Sequence, residues 1–143
     1  EQLKNNQGPS YIVNGNQLLS GTDLSFKEAM LSNHTAEFKL LMQELKNYQS
    51  PVAFLSGDVH FSEIMEYPSS EFGFSTYEFT SSSMHSFINK GWENRYRIPN
   101  TFVNEFNFMY IESKPTDKNL NIFVESIGLP GRPYFSKHFT ITK

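Results

Sequence analysis

The sequence predicts an α/β fold: a sheet flanked by helices, followed by an antiparallel C-terminal meander. Three features carry that expectation. Val52-Ala53-Phe54-Leu55 is apolar without polar alternation, the pattern of a central strand covered on both faces. An amphipathic helical stretch stops at Ser50-Pro51 immediately before it, so the unit reads helix then parallel strand, as an α/β layer requires. Towards the C-terminus, three alternating stretches separated by turn signals read as paired antiparallel strands.

In order along the chain, residues 1–10 are polar and end at Gly8-Pro9, as a helix tail or frayed terminus would. Tyr11-Ile12-Val13 reads as a short buried strand ended by Asn14-Gly15, a strong turn signal. Asn14 and Asn16 suit the shaping of that turn. A short helix is expected over Ser25–Leu31, within an irregular connection. Thr35 is positioned to cap a helix reaching about Tyr48, because Phe38, Leu41, Met42, Leu45 and Tyr48 recur at helical spacing while Glu37, Lys39, Gln43, Glu44 and Lys46 face water. Beyond the apolar strand, Ile64-Met65-Glu66-Tyr67 and Tyr77-Glu78-Phe79-Thr80 read as two more strands, joined by a loop through Pro68-Ser69-Ser70 and Gly73. Phe87 to Asn100 has no clear period and reads as a loop. Phe102 to Glu112, Leu120 to Ser126 and His138 to Thr142 are the three meander strands, separated by Lys114-Pro115-Thr116-Asp117 and Gly128-Leu129-Pro130-Gly131. Asn104, Phe106, Phe108 and Tyr110 share one side of the first, and Asn121, Phe123 and Glu125 one side of the second. The meander would complete one sheet of a β-sandwich with helices outside.

Aromatic residues are 15% of the chain, with 14 Phe and 7 Tyr, which favours strands and disfavours disorder. The length of 143 residues suffices for a single domain with a core. Net charge is −3 and no Lys/Arg block occurs, so the footprint of a nucleic-acid binder is missing. A small phosphorylated substrate stays compatible with that charge, since bound metal ions reverse the local field. Without cysteine the chain has neither disulfides nor thiolate ligands of its own. No apolar run approaches the ~20 residues of a membrane-spanning helix. Asn33-His34-Thr35 fits the glycosylation acceptor pattern, which is frequent by chance. His34 and His138 belong to no motif.

The chemistry concentrates where the apolar strand ends, at Gly57-Asp58-Val59-His60 with Glu63 beyond. Sites in such sheets sit past the carboxyl ends of the strands. If the backbone stays extended, Asp58 and His60 point the same way, with bases roughly 6.6 Å apart at ~3.3 Å of rise per residue. That spacing suits two metal ions ~3.5–4 Å apart, or convergence on one. The plainer alternative is a strand-end turn in which Asp58 caps backbone amides and His60 is its neighbour. Glu63 falls on the other face of a regular strand and suits a hydrogen bond to an imidazole more than direct ligation. Arg95 and Arg97 stand in the loop near the site mouth, where a guanidinium could clamp a phosphate oxygen.

The run Leu55-Ser56-Gly57-Asp58-Val59-His60-Phe61-Ser62-Glu63-Ile64, followed by Tyr77-Glu78-Phe79-Thr80-Ser81-Ser82, resembles the C-terminal half of alkaline phosphatase D-like enzymes, within the calcineurin-like metallophosphoesterases. The likeness spans about Tyr11 to Thr142. The wider superfamily closes its metal site with Gly-His-x-His; here Asp58 stands at the first histidine, as in the alkaline phosphatase D-like branch. The resemblance implies that Asp58 and His60 are ligands of the two metal positions, His60 also serving catalysis, and that the reaction is metal-assisted hydrolysis of phosphate esters with calcium and iron. An Asp in place of a His makes the site harder, which agrees with those ions. Asn16-Gln17 matches residues that follow a strand leading to the active site. His85 corresponds to a histidine after Thr-Ser-Ser, but Ser83 replaces the glycine that precedes it and the spacing is one residue shorter.

The upstream motifs Asp-x-His, Gly-Asp and Gly-Asn-His of that superfamily do not occur before Asp58. The expectation is therefore a fragment, one domain formed by the C-terminal part of a larger metallophosphoesterase domain. A firmly held metal takes about four ligands, so the chain alone would bind metal weakly and catalyse poorly. Its partners would be a phosphate ester and the N-terminal half of the same enzyme, with self-association through exposed apolar surface and sheet edges. The resemblance also implies a secreted or periplasmic setting. A reading from another class is a non-catalytic β-rich binding or assembly module that retains the motif as a relic.

Overall fold

A computed structural model describes residues 3, 6, 8–20, 29–85, 87–116 and 118–143. Part of the expected helix over 25–31, part of the polar stretch 1–10, and Asp117 lie outside the described residues.

The first sheet has strands β1 (Ser10–Val13), β2 (Val52–Ser56), β3 (Glu63–Tyr67) and β4 (Thr76–Thr80), in the spatial order β1-β2-β4-β3. β1 and β4 run parallel to β2, and β3 pairs antiparallel with β4. The second sheet is the meander β5 (Asn107–Pro115), β6 (Asn119–Gly128) and β7 (Pro133–Thr142), antiparallel throughout. Three short or medium helices complete the described elements: α1 (Met30–Asn33), α2 (Thr35–Asn47) and α3 (Ser69–Phe72). The fold is thus mixed α/β and mostly sheet. Among the described residues, no helix is long and apolar enough to cross a membrane.

The apolar run of β2 is explained by its layers. Val52 and Phe54 pack with Phe38, Met42 and Leu45 of α2, while Ala53 joins Leu120, Ile122, Val124 and Ile141 of the meander. Alternate residues of one strand therefore serve two cores, so no position is left for a polar side chain. Tyr67 stacks on Phe54 with centroids 4.9 Å apart, and burying each such side chain stabilises the fold by about 1.5–3 kcal/mol.

Several boundaries differ from expectation for identifiable reasons. β1 is the edge of its sheet and not a buried strand, and Val13 is 73% exposed. Thr35 opens α2 without capping it: α1 precedes it directly, and the Thr35 hydroxyl donates back to the Leu31 carbonyl. The Pro68 loop contains the single turn α3, closed by Gly73 at φ 78. The first meander strand starts at Asn107 and not at Phe102, because Val103 pairs with Ser62 and the Phe102 ring packs on Phe61. β7 begins at Pro133, well before His138. The side shared by Phe108 and Tyr110 faces outward, with the two rings 45% and 48% exposed; Met109 and Ile111 take the inner face.

Candidate functional site

β2, flanked by parallel neighbours on both sides, delivers the chain to one end of the sheet together with β1 and β4. The turns that follow these three strands abut. The Gly57 amide donates to the Gly15 carbonyl after β1, and the Ser81 amide after β4 donates to the Ser56 carbonyl. A side chain at Gly57 would meet the Gly15 oxygen at 3.4 Å and the Ser81 oxygen at 3.7 Å, so the three turns lie within van der Waals reach of one another.

The backbone does not stay extended beyond Gly57. Asp58 and His60 both adopt left-handed conformations, at φ 69 and φ 62. Aspartate and histidine tolerate this region better than most residues, yet it costs roughly 1–2 kcal/mol per residue. The period-two argument for their common direction thus fails, because a coiled turn replaces the strand. Both residues nonetheless line one cavity of about 210 Å³. The His60 amide donates to the Ser82 hydroxyl at 3.3 Å, and its carbonyl accepts from the Asn89 amide at 3.0 Å. The two sequence segments that carry the resemblance are thus physically tied at this turn.

Asn16 and Gln17 line the same cavity, as do Ser20, Asn89, Phe87 and Trp92. Asn14 shapes the preceding turn, donating through its amide to the Asn16 carbonyl at 2.8 Å. His85 is exposed and not among the lining residues. Ser83, at the expected glycine, is buried and accepts from the Asn107 amide side chain at 2.6 Å, so this position stitches β4 to the meander. Arg95 is also outside the cavity lining; its guanidinium contacts Glu71 and lies over the Tyr96 ring.

Glu63 is fully buried, and its position corrects the expected imidazole contact. Its Oε1 accepts from Gln17 at 2.7 Å and from Asn94 at 3.0 Å, and its Oε2 pairs with Arg97. A second buried acid, Glu78, accepts from the amides of Leu18 and Leu19, both at 2.8 Å, and from the Tyr67 hydroxyl at 2.9 Å. Burial pushes the Glu78 carboxyl up to about 7 against the opposing pull of these donors. Burial, reinforced by Glu78, also raises the Tyr67 phenol well above its usual range, so it remains a donor. Together the two acids fasten residues 17–19, one wall of the cavity, onto β3 and β4.

This clamp was not foreseen in the sequence, although a signal existed. Glutamate is depleted from strands, and Glu78 lies within Tyr77-Glu78-Phe79-Thr80, which reads as a strand. Phe87, Asn89 and Trp92 belong to the loop expected near the site mouth, but without periodicity nothing singled them out within it.

The Asp58 carboxylate is a hard oxygen donor of the kind calcium or iron takes and the His60 imidazole is a nitrogen donor that suits iron, and the two fall short of a full shell. Among the described residues, no group of three or more His, Cys, Asp or Glu is gathered to hold a metal ion. No protein-family model matches this chain, and no curated protein matches it.

Proposed function

We propose that this chain is the C-terminal part of a metal-dependent phosphoesterase of the alkaline phosphatase D-like type, in which the two sheets form part of a metallophosphoesterase-type β-sandwich. The observation that carries the reading is that Asp58 and His60, held in strained turn conformations past the carboxyl end of β2, open onto one cavity with Asn16 and Gln17. Strain of this kind persists where surrounding structure enforces it, and it concentrates at functional sites.

Asp58 and His60 would hold the metals, calcium and iron by the character of the donors, with further ligands supplied by an N-terminal half. Bound there, the ions would polarise phosphoryl oxygens and lower the pKa of a bound water. The chain's own contribution is positional. The Ser82 and Asn89 contacts fix the His60 backbone. Asn16 and Asn89 line the cavity as neutral amides able to orient phosphoryl oxygens without competing for the metal's charge, while the Gln17 amide is committed to Glu63 and Thr80 and braces the wall.

The test is metal content and phosphodiesterase activity in the protein that joins this chain to its upstream half. Asp58→Ala and His60→Ala are each expected to abolish both. Retention of stoichiometric metal and full turnover in both variants would sink the proposal.

The exposed aromatic face of the meander favours a second reading, a β-rich binding or assembly module. Phe108, Tyr110 and Tyr134 present their rings outward. A module of that kind would fold and bind its partner unchanged in Asp58→Ala, with no phosphoesterase activity to lose.

A further inference from the structure

We propose that Phe87 and Trp92 form a stacking wall for the ester group of the substrate, selecting phosphoesters whose ester group is a flat ring. The inference rests on the phosphoesterase reading of the cavity and adds a substrate class to it.

Phe87 is 71% exposed although it lines the cavity, and its ring stands edge to face against His60, with centroids 4.2 Å apart and planes at 70°. An aromatic face left open beside a ligand-bearing imidazole is apolar surface that a bound ring would remove from water. Trp92 lines the same cavity and is braced from behind. Its ring meets the buried Phe61 at 5.1 Å and 82°, and Phe61 in turn packs on Phe102. The Asn89 amide donates to the His60 carbonyl, which ties the loop carrying both aromatics to the turn carrying the imidazole.

The remaining lining points the same way. Asn16, Gln17, Ser20 and Asn89 are neutral, and no Lys or Arg lines the cavity among the described residues. The Ser20 hydroxyl is buried and has no hydrogen-bond partner among the described residues, as suits a polar group reserved for a ligand. An ester group bound here is thus recognised by ring faces and neutral hydrogen bonds, not by charge. The volume of about 210 Å³ is below the ~300–1,000 Å³ of pockets for drug-sized ligands, so it suits a phosphoryl group with one ring.

Phenyl phosphate, ethyl phosphate, inorganic phosphate and phenol are each titrated calorimetrically against the metal-loaded protein that joins this chain to its upstream half. Phenyl phosphate is expected to bind roughly two- to tenfold more tightly than ethyl phosphate. Phe87→Ala should erase that preference while leaving inorganic phosphate unaffected, and Phe87→Tyr should keep it. Equal affinity for the two esters, or a preference that survives Phe87→Ala, overturns the wall. Responses to phenol and phenyl phosphate with none to inorganic phosphate would instead sink the phosphoesterase reading and leave the wall standing. Silence towards all four probes overturns both.

Discussion

The carboxamide of Gln17 donates a 2.7 Å hydrogen bond to the carboxylate of Glu63, 46 positions away in sequence, and both side chains are buried. The same amide nitrogen donates to Thr80 at 3.1 Å, so one side chain of the cavity wall is pinned to two strands. With Glu78 holding the next two backbone amides, the wall is fixed by buried hydrogen bonds in a water-poor interior, where leaving a partner unmet is costly.

Glu78 makes the stability of this wall depend on pH. Its folded pKa of about 7 lies above the ordinary 4.5, so the folded state holds the proton more tightly than the unfolded one. The stabilisation is complete below pH 4.5 and is lost as pH rises through 7. At ~1.36 kcal/mol per unit, the change is on the order of 3 kcal/mol. Glu78→Gln removes the titration but turns an NH₂ group towards a main-chain amide, an unmet donor that costs about 1–3 kcal/mol. Urea denaturation at pH 5 and pH 8 should give a large deficit for Glu78→Gln at the lower pH and a smaller one at the higher. A deficit independent of pH would show that Glu78 does not titrate in this window.

Arg97 neutralises a fully buried acid. Arg97→Met leaves the Glu63 charge without its cation and should destabilise the fold by about 3 kcal/mol, and Glu63→Gln in the same chain should restore most of that loss. A double-mutant cycle by chemical denaturation reads the coupling. Additive effects of the two substitutions would mean that the pair is not energetically linked.

The turn at Asp58 trades stability for position. Asp58→Ala and Asp58→Gly should both lose metal, but glycine carries no left-handed penalty and should be the more stable variant by roughly 1 kcal/mol. Thermal melts of the two variants side by side provide the comparison. Equal melting temperatures would deny that position 58 is strained.

The outward aromatic row predicts association. Tyr110 and Phe123 sit 6.5 Å apart on the outer face of the meander, and Phe108 extends the row. Light scattering across a concentration series should show a mass that rises with concentration, and Phe108→Lys with Tyr110→Lys should hold the chain nearer a monomer. A wild-type chain of constant monomer mass would leave this face without a partner of its own kind.

The sequence by itself determined the elements whose signal is local. The amphipathic period of α2 and the uninterrupted apolar run of β2 reflect burial on one face and on two, and each is written in adjacent residues. It also marked Asp58 and His60, which follow the end of an apolar strand, and through the resemblance Asn16; the structure brings all three to one cavity. Tertiary structure alone decided the rest. The left-handed turn at Asp58 and His60 answers to the neighbouring turns after β1 and β4, which pack against it from distant parts of the chain. The partners of Glu63 and Glu78 come from residues 17–19, from Tyr67 of β3 and from the loop before β5, and no short-range pattern encodes which distant donor will meet a buried acid. The outward face of Phe108 and Tyr110 has the same origin: alternation fixes which residues share a side, and only the packing of one sheet on the other selects the side that is buried.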